Sequence, residues 1–151
     1  MAAQTSYSLT SAIAYPGLIA DLGPNRIESY LVETVAGIAP GLTVGPGTLD
    51  DQCVLGGTAP VGVVVRSLDV ENNVSDTIVY AATEDVGVMI SGVVWVSLGN
   101  TGAKGAAIYS IDATGVIQSG TAGAGQTQLN GELMDTITAA GLARIRLTPQ
   151  I

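Results

Sequence analysis

At 151 residues and 15.2 kDa the chain fits one ordinary domain with room for a sizeable core. Apolar residues make up 47% and charged residues only 12%, which excludes wholesale disorder. Thirteen acids against five bases give a formal charge of −8, a balance that opposes binding to nucleic acid or an anionic membrane, and the absence of His excludes Ser-His-Asp, Cys-His and His-ligated metal chemistry.

Residues 1–24 differ from the rest. They are rich in Ala, Ser and Thr and carry no charge before Asp21, yet Tyr7, Tyr15, Leu18 and Ile19 space apolar anchors along them. Pro16 favours an extended backbone at Tyr15. The segment is expected to be an extended N-terminal arm that orders against a neighbour or the shell it binds, ahead of a single β-domain over 25–151. No basic residue precedes Arg26, so no secretion signal is expected and the protein is expected to be made in a cytoplasm.

From Ile27 onward, short Val-rich runs alternate with Gly, Asn and Pro, the pattern of an all-β domain. Strands are predicted at 27–34, 42–44, 52–55, 61–67, 77–83, 86–98, 106–112, 116–118, 132–138 and 142–148. Turns are predicted at Gly45-Pro46-Gly47, Gly56-Gly57, Glu71-Asn72-Asn73, Asn100-Thr101-Gly102 and Ala113-Thr114-Gly115, and a soft loop at 120–126. The fold class expected is an antiparallel β-barrel or sandwich of short strands.

The run Val86–Leu98 is apolar on both faces by the period of two. Val86, Val88, Ile90, Val94, Val96 and Leu98 point one way, and Met89, Val93 and Trp95 the other. A strand of that kind is central in a sandwich or covered by another chain, so Met89, Val93 and Trp95 are the candidate oligomer or partner interface. Arg144 and Arg146 share one face of the last strand, where they pair with nearby acids or meet an acidic partner.

The chain offers little for catalysis. Cys53 is the single cysteine, in a short strand, and reads as a small buried thiol. The acid pairs Asp50-Asp51 and Glu84-Asp85 border turns and match no Ca²⁺ loop. The stretch 99–105, Gly-Asn-Thr-Gly-Ala-Lys-Gly, lacks the Gly-Lys-Ser/Thr ending and the following helix of a phosphate loop. The expectation is no enzyme, no catalytic residue, no metal and no cofactor. The longest nearly apolar run, 86–96, is about half the roughly 20 residues needed to cross a bilayer as a helix, so no membrane partner is expected.

Several stretches in order resemble the capsid cement (decoration) proteins of tailed bacteriophages. They are Ala14-Tyr15-Pro16-Gly17-Leu18-Ile19-Ala20-Asp21, Val44-Gly45-Pro46-Gly47-Thr48-Leu49-Asp50-Asp51-Gln52 and Val61-Gly62-Val63-Val64-Val65-Arg66. Residues 87–96 and 139–147 continue the series. Each stretch alone is only Gly and Val; their order and spacing carry the likeness. The resemblance implies a structural protein of the virion that binds the outer surface of the head. There it would bridge major capsid protein subunits and resist the push of packaged DNA, after synthesis in the host cytoplasm. Self-association is expected as well, a trimer ahead of a dimer, because a monomer of this size would struggle to cover the doubly apolar run Val86–Leu98 and Trp95. Tyr7, Tyr15, Pro16, Leu18 and Ile19 would be the arm's contacts. A phage tail or baseplate β-module and a carbohydrate-binding sandwich are the competing readings; one Trp and five Tyr give the latter few aromatics to display.

Overall fold

A computed structural model of the chain describes residues 14–67 and 78–149. Among them are nine strands and no helix: β1 (Arg26–Val32), β2 (Thr43–Pro46), β3 (Gln52–Leu55), β4 (Gly62–Val64), β5 (Asp85–Leu98), β6 (Ala107–Ile111), β7 (Ile117–Ser119), β8 (Gln126–Leu133) and β9 (Gly141–Leu147). The all-β class read from the Val-rich runs holds.

The strands pair in the order β1-β3-β2-β4-β5-β9-β8-β6-β7, and β1 also pairs with β5. That extra ladder closes β1, β3, β2, β4 and the first half of β5 into a five-stranded barrel. Each barrel strand sends at least one side chain into a common core: Val32, Val44, Cys53, Val64, Val86 and Val88, with Ile38 and Tyr80 packed among them. The second half of β5 leads a further sheet with β9, β8, β6 and β7. This sheet also curls back on itself. The Gly99 amide donates to the Ile117 carbonyl at 2.9 Å, and Asn100 exchanges two hydrogen bonds with the Ser119 main chain. Such closure leaves β7 without an open edge for indiscriminate pairing. Its core holds Val94, Val96, Leu98, Ile108, Ile117, Leu133 and Ile145, against Val63, Val65 and Met89 from the barrel's outer wall.

Strand β5 therefore serves two cores, and a bulge lets it do so. Its ladder with β1 matches Ile27 to Met89 but Arg26 to Ser91, leaving Ile90 as an extra residue. One unpaired residue reverses the inside-outside parity of everything beyond it. Val86 and Val88 accordingly face the barrel, while Val94, Val96 and Leu98 face the second core that Met89 enters from the other side. Two residues past Ile90, Gly92 has φ +135°, and a Cβ there would lie 2.1 Å from Asn25 Oδ1. Only glycine fits the kink.

Several expected elements shift. β5 has 14 residues and β1 pairs with β3 in parallel, so the sheet is neither wholly short-stranded nor wholly antiparallel. The run 77–83 contributes no named strand among its described residues, only the bridge of Tyr80 to Ile38; Thr77 lies outside the description. The turn at 71–73 lies outside it too. The strand expected at 132–138 is β8, Gln126–Leu133, and the soft stretch ends where β8 begins. Gly131 sits inside that ladder opposite Leu147, and the chain turns away after Leu133 so that Asp135 meets β9.

Candidate functional site

The described part of the N-terminal segment runs along β5. The Gly17 amide donates to the Trp95 carbonyl at 2.7 Å, the Trp95 amide to Leu18 at 2.9 Å, and the Ala20 amide to Val93 at 2.8 Å; Ile19 bridges Val94. The Gly17 carbonyl accepts from the Arg66 amide at 2.7 Å, tying the same segment to the chain two residues past β4. Gly17 has φ +85°, and a Cβ there would fall 2.5 Å from the Pro40 side chain, so the residue sits pressed onto the Pro40-Gly41 turn. Residues 14–20 are thus seated on the β-body.

This seating presents two aromatic–arginine stacks. The Arg66 guanidinium carbon lies 4.7 Å from the centroid of Tyr15, and that of Arg144 lies 5.6 Å from the centroid of Trp95. Such contacts hold a planar cation over an apolar ring without removing either from the surface. Tyr15 is 45% and Ile19 43% exposed, and Leu22 beyond them is fully exposed. Pro16 and Leu18 are half-buried. Tyr7 lies outside the described residues.

The arginines are held in place by acids. Arg144 meets Asp135 through its guanidinium at 2.6 Å, and its main-chain amide donates to the same carboxylate at 3.0 Å. The Arg144 side chain holds the Asp135 carboxyl below the usual carboxylate range. Arg146 pairs with Glu132 at 3.0 Å on the same face. Both basic residues of β9 therefore find partners within the chain.

The three residues expected at an oligomer interface separate. Met89 is wholly buried and Val93 nearly so, whereas Trp95 keeps part of its ring at the surface. The chain covers both faces of β5 by itself, so the doubly apolar pattern does not call for another chain, and Met89 has no surface to offer one. Sequence reasoning missed Arg66 and Asp135. The Tyr15–Arg66 stack joins residues far apart in sequence, and no local pattern signals it.

Elsewhere the chemistry is sparse. Cys53 is buried in the barrel core, and burial pushes its thiol up to about 11. Among the described residues no three His, Cys, Asp or Glu side chains gather as a metal site would require. Glu33, Asp50, Asp51, Glu84 and Asp85 lie in the segments where β1 ends and β3 and β5 begin, whose main chains are joined by the Leu31 amide donating to the Asp51 carbonyl and the Val32 amide to the Glu84 carbonyl. Two of these carboxylates serve turns: Glu33 accepts from Thr48, and Glu84 from the Ala81 amide. A cleft between barrel and second sheet is lined by Ala59, Pro60, Val61, Ile90, Leu129 and Leu147 among others, with no ionisable side chain.

A family model described as structural cement protein (E217 gp24/Pam3 gp6) matches residues 3–148. Among solved structures, a chain of the capsid of Myoviridae Phage XM1 superimposes with a TM-score of 0.77, covering 98% of each chain at 15% identity. A search of curated proteins finds no match.

Proposed function

Because the chain belongs to the phage structural cement protein family, and is thus a capsid-associated structural component of the virion, we propose that it binds the outer surface of the head and ties neighbouring major capsid protein subunits together. Family membership across nearly the whole chain is the observation that carries this reading. Bridging would stiffen the shell against the outward push of packaged DNA. A charge of −8 suits an outward-facing protein that must stay clear of the genome and soluble before assembly.

The contact surface we assign is the seam between the N-terminal segment and β5. Tyr15, Ile19 and Leu22 are exposed there, Pro16 and Leu18 anchor the segment, and Trp95 lies beside it under Arg144. Residues 1–13, Tyr7 among them, would extend this contact onto a neighbouring subunit as an arm. Tyrosine suits such an anchor because it offers a large contact area with few rotors to freeze. Many weak copies then act together through effective concentration.

The reading includes self-association on the shell, as a trimer or as a two-fold pair. It includes no catalysis, cofactor, nucleic acid or membrane, and synthesis in the host cytoplasm before assembly. Retention of the purified chain on undecorated heads tests it, with the heads' resistance to heat as the second reading. Saturable binding with a raised disruption temperature is expected; an absence of binding overturns it.

A further inference from the structure

The barrel is closed unevenly. β1 pairs with β3 only through Leu31 and Val32, so the edge of β1 that faces β3 is covered at one end. Along β1, main-chain groups alternate in direction. The Leu31 amide points to that edge, donating to Asp51, and the Val32 amide points the other way, donating to Glu84. By the same alternation Ile27 and Ser29 turn their N–H and C=O groups to the uncovered edge. No described residue hydrogen-bonds those groups, Ile27 is 40% exposed and Ser29 is exposed. An unpaired stretch of this kind is a template for another strand.

Its side chains bear on which strand fits. Arg26 and Glu28 lie on one face of β1 as an ion pair with side chains 63% and 36% exposed, and Ile27 between them faces the other way. An edge guarded against pairing repeats one charge; this one alternates sign about an apolar residue. Placed antiparallel across a two-fold axis through Ile27, it sets Ile27 opposite Ile27 of a second copy. Arg26 then falls opposite Glu28, twice. Exchange of both hydrogen bonds at Ile27 follows, because its main chain already faces outward.

We propose that β1 of one copy pairs antiparallel with β1 of a second copy about Ile27, joining two barrels into a continuous sheet. The proposal rests on the shell-binding reading only for where the pair forms. Copies held on a head meet at high effective concentration. It gives a two-fold contact, at variance with the trimer expected from sequence.

The test is Ile27→Cys in the full chain. Opposed residues in a hydrogen-bonded antiparallel pair place their Cα atoms about 5.5 Å apart, within the roughly 4.4–6.8 Å that a disulfide spans. Mild oxidation, in concentrated solution and on heads, is expected to give a covalent dimer. Val35→Cys, at a residue 93% exposed beyond the other end of β1, is expected to give none, and the buried Cys53 stays unreacted. Arg26→Glu, which sets acid opposite acid, is expected to lower the yield roughly tenfold, and Arg26→Glu with Glu28→Arg to restore it. Arg26 is exposed and Glu28 half-buried, its carboxylate accepting from the Tyr30 hydroxyl, so sedimentation of the same variants without the cysteine, taken with their melting transitions, reads the pairing independently of any effect on folding. A cross-link to the major capsid protein, a dimer indifferent to charge reversal, or no dimer on heads that the variant still decorates each overturns the pairing. Failure of the unaltered chain to bind heads counts instead against the shell-binding reading, and the solution arm still decides the pairing.

Discussion

Arg144 lies over Trp95, with its guanidinium carbon 5.6 Å from the ring centroid, and the two are direct partners across β5 and β9. The stack keeps an aromatic face at the surface next to the segment that carries Tyr15. Trp95→Ala removes a half-buried ring, so a loss of about 1–3 kcal/mol is expected, below the roughly 3–5 kcal/mol of a fully buried one. Denaturant unfolding measures that loss. Retention on heads is expected to fall in conditions where the variant remains folded, which separates the contact from the fold.

Asp135 gives a pH dependence with a definite sign. Its carboxyl titrates below its ordinary value because Arg144 favours the charged form. A group depressed in the folded state stabilises fully above its unfolded pKa, near 3.9, and loses that contribution as pH falls through the folded value. The melting temperature is expected to drop below about pH 4. Asp135→Asn is expected to melt lower at neutral pH and to show a shallower drop on acidification. An unchanged pH profile in that variant would show that the pair contributes nothing to folding.

Truncation separates the arm from its seat. Removal of residues 2–13 leaves every described hydrogen bond of the N-terminal segment in place, so the melting transition is expected to hold while attachment to heads weakens. Removal through residue 20 strips the partners of Trp95 and Val93 and uncovers the edge of β5. That shorter chain is expected to melt earlier and to aggregate. Equal binding to heads by the first truncation and the full chain would reduce residues 2–13 to a tail.

Cys53 is expected to resist alkylation in the native protein at pH 8 and to react fully in denaturant. It is 1% exposed and its thiol sits well above that pH. Mass spectrometry before and after denaturation reads the difference, and rapid labelling of the native chain would place Cys53 outside the barrel core.

Much of the fold is legible in the residues because one face of each strand must be apolar. The 52–55 strand falls where the Gly-rich turns place it, and the long Val-rich run begins one residue early, at Asp85. The bulge at Ile90 was not legible. In a strand apolar on both faces, an unpaired residue leaves the pattern unchanged while reversing the faces, so Met89 reads as surface and is core. The parallel pairing of β1 with β3 depends on closure by β5, far off in sequence, and no local signal encodes it. Of the candidate contacts, Tyr15 and Trp95 were visible as isolated aromatics; that each carries an arginine, and that hydrogen bonds join their segments, is tertiary information.

The central claim is that the chain cements the outside of a phage head. Cryo-electron microscopy of the parent virion tests it most directly. The account predicts copies of this β-body on the outer surface, each touching more than one major capsid protein subunit, with Tyr15, Ile19 and Trp95 at or beside the contact. Density confined to the tail, to the interior of the shell, or to single capsid subunits without a bridge would contradict it.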